Sequence, residues 1–266
     1  KKFGLESYND CLGQYKTAAI DGTLFKDKII PKTPKSNIAK LEESVVYIEM
    51  VLTNFTKKEE YVFGSGSGVI ISKKEIATNC HVALAEPSKD NLKTVKEKKN
   101  WNMSSDDLDI LLWIKTINGE DWANAIVSKK AEGKDICILK HNPKELFEVS
   151  MKPIKKFISF EKLKKGDFVR AMGSPGGMIG HTSTGDIQWL GTAEGLARNF
   201  DSKFLEEFDK DTKFIIHGAK IHEGSSGGPL FDKDGYIIGL NTLISDTAAE
   251  NIAVSADHIK DLLYNN

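Results

Sequence analysis

Residues 221–242 read IHEGSSGGPLFDKDGYIIGLNT, with Ser225 and Ser226 side by side between Gly224 and the Gly227-Gly228-Pro229 run. A serine hydroxyl is a weak nucleophile until a base takes its proton and donors stabilise the oxyanion its attack creates. Glycines serve the second need, because backbone N–H groups can converge on one point with no Cβ in the way. With Ser226 as the attacking group, its own N–H and that of Gly224 would face the developing charge. One such donor is typically worth roughly 2.7–4 kcal/mol of barrier. The first need calls for a histidine, and of the six in the chain His81 stands directly after a strand-like run, in ATNCHVAL. Taken singly, the loop is also compatible with a turn between strands, and the histidine with a structural residue.

Something must bring such distant groups together. SVVYIEMVL, VFGSGSGVIIS, KEIATNCHVAL, LDILLWIKTING, EDWANAIVSKK and KDICILKHN read as successive strands, rich in β-branched and aromatic residues and separated by turn residues. GDFVRAMGSPGG, KFIIHGAKI, PLFD, YIIGLNTLI and NIAVSA continue the series, and ADHIKDLLYNN has helical spacing. Many short strands with one terminal helix predict an all-β barrel or sandwich pair. Residues 1–43 read as an N-terminal arm with one short helix, 85–107 as a charged surface loop, and FDSKFLEEFDKD as a loop or short helix. The 266 residues carry 40% hydrophobic and 28% charged side chains with a formal net charge of -1. That balance gives no electrostatic case for nucleic acid. No apolar run approaches the ~20 residues of a membrane span. The chain starts KKFGLESYND, which fits a mature form with its leader removed and equally a trimmed chain.

The blocks GSGVIIS…IATNCHV, KDICILK and GSSGGPLFDKDGYIIGLNT resemble, in that order, the three catalytic blocks of chymotrypsin-fold serine proteases, and most of all the HtrA-like branch. GDFVRAMGSPGG and NIAVSADHIKDLL extend the resemblance from about Ser44 to the end. It implies two six-stranded antiparallel β-barrels, the first over about 44–145 and the second over about 160–254, with a terminal helix over about 255–264. It implies a serine endopeptidase with His81 as base, Ser226 as nucleophile, an oxyanion hole at Gly224 and Ser226, and polypeptide substrates. Two aspartates compete for the third place, Asp109 in DLDILLWIK and Asp135 in KDICILK. The family places a turn and a strand ending in a charged loop before its aspartate, which selects Asp135. Ser225 stands where trypsin-like zymogens carry the aspartate that captures a freed N-terminus, so that mode of activation is not expected.

By the same resemblance, Ile221 makes the pocket for the side chain preceding the scissile bond apolar, favouring aliphatic residues. Lys220 replaces the aspartate of trypsin; a lysine reaching into the pocket and favouring acidic substrates is the lesser reading, since its ammonium prefers water. Thr242, Leu243 and Ile244 are expected on the edge of a strand to which an extended substrate adds. Cys80 and Cys137 are read as buried free thiols rather than a bridged pair. The remaining histidines show no metal-ligand spacing, GSPGG lacks the lysine and helix of a phosphate loop, and no cofactor is expected. Extracellular or periplasmic residence, a homo-oligomer through the arm, and no PDZ domain after the last helix complete the expectations. The competing function is a weakly active or inactive peptide-binding or chaperone module using the same cleft.

Overall fold

The computed structural model describes residues 35–264 apart from 102–107, 118–121, 142–152, 155, 200–201, 203 and 246–249. Residues 39–266 form one unit of the chain, and the barrels below are built from it. Strands β1 (Val45–Asn54), β2 (Glu59–Ile70), β3 (Glu75–Thr78), β4 (Leu108–Thr116), β5 (Ala123–Ala131) and β6 (Ile136–His141) close into a barrel in the order β1-β2-β3-β6-β5-β4. A second closed barrel runs β10-β11-β12-β9-β8-β7, built from β7 (Phe168–Gly173), β8 (His181–Thr192), β9 (Lys213–His217), β10 (Pro229–Asp232), β11 (Ile237–Ser245) and β12 (Glu250–Ser255). All ladders are antiparallel. The chain thus forms two six-stranded antiparallel barrels, each closed on itself.

Each barrel is filled from its own strands. Val46, Ile48, Ile70, Ile76, Ile114 and Leu139 meet in the first, while Val169, Ile187, Ile215, Leu230, Ile238 and Ala253 meet in the second. Alternate residues of a pleated strand point to opposite faces, and in β6 and β9 both faces are buried, as the consecutive buried residues 136–139 and 214–217 show. The helices among the described residues are α1 (Lys35–Glu42), α2 (Cys80–Ala83), α3 (Lys89–Lys99), α4 (Ala193–Asn199), α5 (Phe204–Glu207) and the C-terminal α6 (Asp257–Tyr264).

Two expectations need correcting. The segment 85–107 is not simply a loop, because Lys89–Lys99 is helical. Ser88 caps its N-terminus by accepting the Asn91 N–H at 3.2 Å, and Asn100 ends it in the left-handed region at φ 52°. Its Val95 packs with Leu52 and Trp101 in a satellite cluster outside the first barrel. The second correction concerns Cys80 and Cys137, which form a disulfide with a Cα–Cα distance of 4.8 Å. Strand register explains it: Thr78 of β3 faces Cys137 of β6, so the chain leaving β3 places Cys80 within bonding reach.

The barrels are tied together at the seam where the three resembled blocks converge. Gly133 accepts the Asp209 N–H at 2.8 Å and the Thr212 hydroxyl at 2.9 Å. Lys134 forms ion pairs with Asp209 and Asp211. Across the seam, the Ser67 N–H of β2 donates to the Ser226 carbonyl at 2.8 Å.

Candidate active site

Asp135 follows a short 3-10 turn over Glu132–Lys134 and takes a left-handed conformation, φ 52° and ψ 37°. Aspartate tolerates that region better than most residues. The kink turns the chain into β6 and buries the side chain at 7% exposure. Three donors then converge on it. The His81 N–H donates to Oδ1 at 2.9 Å, His81 Nδ1 lies 2.9 Å from Oδ2, and the Thr242 hydroxyl donates to Oδ2 at 2.5 Å. A carboxylate only accepts, so this contact holds the imidazole proton on Nδ1 and leaves Nε2 as the basic nitrogen. A buried carboxylate is tolerated only when so satisfied.

His81 is carried by α2, a single helical turn that starts where β3 ends. The Asn79 side-chain amide donates to the Asp135 carbonyl at 3.0 Å, and the Cys80 N–H to the same oxygen at 3.3 Å. The two residues that precede the histidine are therefore bonded to the aspartate's own peptide. The imidazole remains accessible, its side chain 46% exposed. A cavity of about 470 Å³ opens beside it, lined by Cys80, His81, Leu84, Glu132, Asp135 and Phe208 among others.

Asp109, the rival aspartate, lies elsewhere. It is exposed on β4 opposite Thr53 and accepts the Ile110 N–H at 2.8 Å.

The serine loop is shaped by a turn over residues 222–225, closed by the Ser225 N–H donating to the His222 carbonyl at 2.8 Å. Gly224 sits at its third position with φ +89°, as a type II turn requires. Gly227 also has positive φ, at +83°, and a Cβ there would lie 2.2 Å from the Ser67 carbonyl oxygen and from Thr78 Oγ1. Among the described hydrogen bonds, none uses the N–H of Gly224 or of Ser226. The Ser226 hydroxyl is half-buried and donates to the Thr242 carbonyl at 3.2 Å. Ser225 is buried, and its Oγ accepts the His222 N–H at 3.2 Å.

The structure thus brings His81 and Thr242 onto Asp135 and sets Ser226 against the Thr242 carbonyl, and among the described hydrogen bonds none joins Ser226 to His81. Ile221 is buried in the second barrel's core cluster, its N–H donating to Asn251 Oδ1 at 3.1 Å. Lys220 is exposed, and its carbonyl accepts the Ser183 hydroxyl at 2.6 Å. Leu243 and Ile244 continue β11, paired in register with Ile252 and Asn251, and their side chains lie outside the described residues.

Two contributions escape the sequence reading. Thr242 appears there only as a substrate contact, yet its side chain holds Asp135. Ser67 is given no role there, though it lies in the GSGVIIS block, and its fully buried hydroxyl donates to the Gly224 carbonyl at 2.7 Å and accepts the Ser174 N–H at 2.8 Å. The GSGSG composition around it is the one signal that marked the segment. A Cβ on Gly66 would clash with Val82 and come within 3.3 Å of the Ser226 carbonyl oxygen, so glycine is what lets β2 approach the serine loop.

A signature of the trypsin-like peptidase domain matches residues 66–240. The chain belongs to the trypsin-like peptidase family. Two barrels flanking a His-Asp contact and a glycine-rich serine loop are the chymotrypsin fold. The chain is 30% identical over 232 residues to "Serine protease HTRA3" of Homo sapiens, which covers 85% of this chain and 43% of that protein. It is 31% identical over 228 residues to "Serine protease HTRA1B" of Danio rerio, covering 85% of this chain and 40% of the relative. For "Serine protease HTRA1" of Xenopus tropicalis the identity is 30% over 228 residues, with 85% and 41% covered. The chain spans less than half the length of these relatives. Among the described residues no helix is long and apolar enough to cross a membrane, and no group of His, Cys, Asp or Glu is arranged to hold a metal ion.

Proposed function

We propose that the protein is a serine endopeptidase in which Ser226 attacks the scissile carbonyl, His81 moves the proton and Asp135 orients the imidazole. The contact between His81 Nδ1 and Asp135 Oδ2 at 2.9 Å carries this reading. With its proton held at Nδ1, the imidazole takes the Ser226 proton at Nε2 and then delivers it to the leaving amine. The Ser226 hydroxyl rests on the Thr242 carbonyl at 3.2 Å, and the reaction requires it to turn from there to the base. The Gly224 and Ser226 N–H groups, spent on no other described acceptor, serve the oxyanion.

An extended substrate pairs with β11 at Thr242–Ile244. In support, the β10 register stops at Leu240, while β12 continues along the other edge of β11 to Ser245. Aliphatic side chains are the preferred residues before the scissile bond, Ile221 contributing apolar wall and the exposed Lys220 leaving its ammonium in water. The Cys80–Cys137 disulfide suits an oxidising compartment, as an extracellular or periplasmic residence requires.

A fluorophosphonate probe tests the reading directly. Wild type should label at one serine and digest an unfolded protein. Ser226→Ala should abolish the label, and His81→Ala should slow both reactions by several orders of magnitude. Labelling that survives Ser226→Ala would assign the chemistry to another residue. A folded wild type that neither labels nor cleaves would leave a peptide-binding module as the better account.

A further inference from the structure

We infer that the Cys80–Cys137 cystine is a redox-modification site through which a dithiol reductant lowers peptidase activity; this rests on the function proposed above. Cys80 is the residue before His81, and Cys137 lies two residues after Asp135. The cross-link therefore joins the segments that carry the two partners of the 2.9 Å contact. Both sulfurs sit in the core cluster of the first barrel among Val46, Ile70, Val82 and Leu139.

The two ends differ in freedom. Cys137 is fully buried in β6, with Thr78 of β3 on one side and Lys130 of β5 on the other. Cys80 opens a helix of four residues, and the cavity of about 470 Å³ lies against it. A reductant thus meets Cys80 first. Its thiolate bonds to Cys80 Sγ and the Cys80–Cys137 bond breaks, leaving the Cys137 sulfur to take a proton. The reductant's second thiolate then displaces Cys80, which also takes a proton, and the reductant leaves as its own disulfide. Two electrons and two protons have passed to the cystine.

Two non-bonded sulfurs need roughly 3.5–4 Å between them, where a covalent bond holds them at about 2 Å. A close-packed core does not absorb an expansion above an ångström. Since β6 is held on both edges, α2 takes the displacement and His81 moves with it. The bonds from the Asn79 amide, the Cys80 N–H and the His81 N–H to Asp135 are the ones stretched. Misplacing a reacting group by about 1 Å can cost on the order of a hundredfold in rate.

The test compares oxidised and dithiothreitol-treated wild type with Cys80→Ala/Cys137→Ala, whose smaller side chains leave no sulfurs to crowd. On reduction, wild type should gain two titratable thiols per chain and lose at least tenfold in kcat with KM little changed. Its fluorophosphonate labelling should slow in parallel while far-UV circular dichroism is retained. The double variant should be active and indifferent to the reductant. Equal kcat before and after two thiols appear would overturn the inference, as would inhibition of the double variant by the same treatment. Thiols that stay inaccessible until the fold is lost would overturn it too. An oxidised wild type that neither cleaves nor labels would instead bring down the peptidase reading, and this inference with it.

Discussion

Asp135 occupies a conformation that few side chains accept, and it spends both carboxylate oxygens on three donors. Asparagine preserves the shape but puts an amide where one oxygen accepted, so the imidazole loses its tautomer. We expect Asp135→Asn to lower kcat by about 10⁴, the size seen for this change in a Ser-His-Asp triad. Asp109→Asn should be nearly silent, because that carboxylate is exposed and, among the described residues, meets its neighbour's N–H. Steady-state kinetics on one peptide substrate compares the two, and the reverse ranking would discard the assignment of Asp135. His81, Asp135 and Ser226 could be singled out as candidates because each sits inside a short block whose residues surround it in sequence, and of the three the structure shows the contact between His81 and Asp135. The Thr242 hydroxyl and Ser67 could not be, since their partners lie 107 and 157 residues away and become neighbours only when the barrels dock.

At the level of elements, β2 and the serine loop are joined by Ser67, whose hydroxyl links the Gly224 carbonyl with the Ser174 N–H. Ser67→Ala leaves two buried backbone groups without that partner, at roughly 1–3 kcal/mol for each unsatisfied group. The same bond orients the loop that presents the Gly224 N–H. The expected result is a fall in kcat of ten- to a hundredfold with KM little changed, together with a lower urea midpoint. A variant less stable but fully active would show that the loop keeps its shape unaided. Most strands were readable from β-branched runs and turn residues. Helix α3 was not, because KDNLKTVKEKK buries only Val95 and its polar face dominates the pattern. Its Ser88 cap and the Asn100 terminator were the local signals present. The disulfide was hidden for a different reason: a separation of 57 residues carries no geometry until the register of β3 against β6 is known.

For the whole molecule, two buried histidines set the response to acid. Burial lowers the pKa of His217 to about 4, against a smaller upward pull from the Ala219 backbone and the Asn241 side chain, and among the described residues neither ring nitrogen has a hydrogen-bond partner. Burial, assisted by Lys134, likewise lowers His258 to about 4, and its Nε2 accepts the Lys213 N–H at 2.9 Å, which only the neutral ring can do. In the unfolded chain both titrate near 6.5, so between that pH and about 4 the unfolded state binds more protons. Stability is therefore fully present above pH 7 and falls as pH drops through this window, by at most about 3 kcal/mol per histidine. Urea midpoints at pH 7.0, 5.5 and 4.5 should decline in that order, and His258→Gln should flatten the decline. A midpoint constant over that range would contradict the buried neutral state of both rings.

The Asp135 carboxylate is held from two directions, by His81 on one barrel and by Thr242 on the other. Alignment at this point therefore serves as a gauge of how the two halves are seated. A ligand that wedged them slightly apart, far from any substrate, would switch the chemistry off while leaving each half folded.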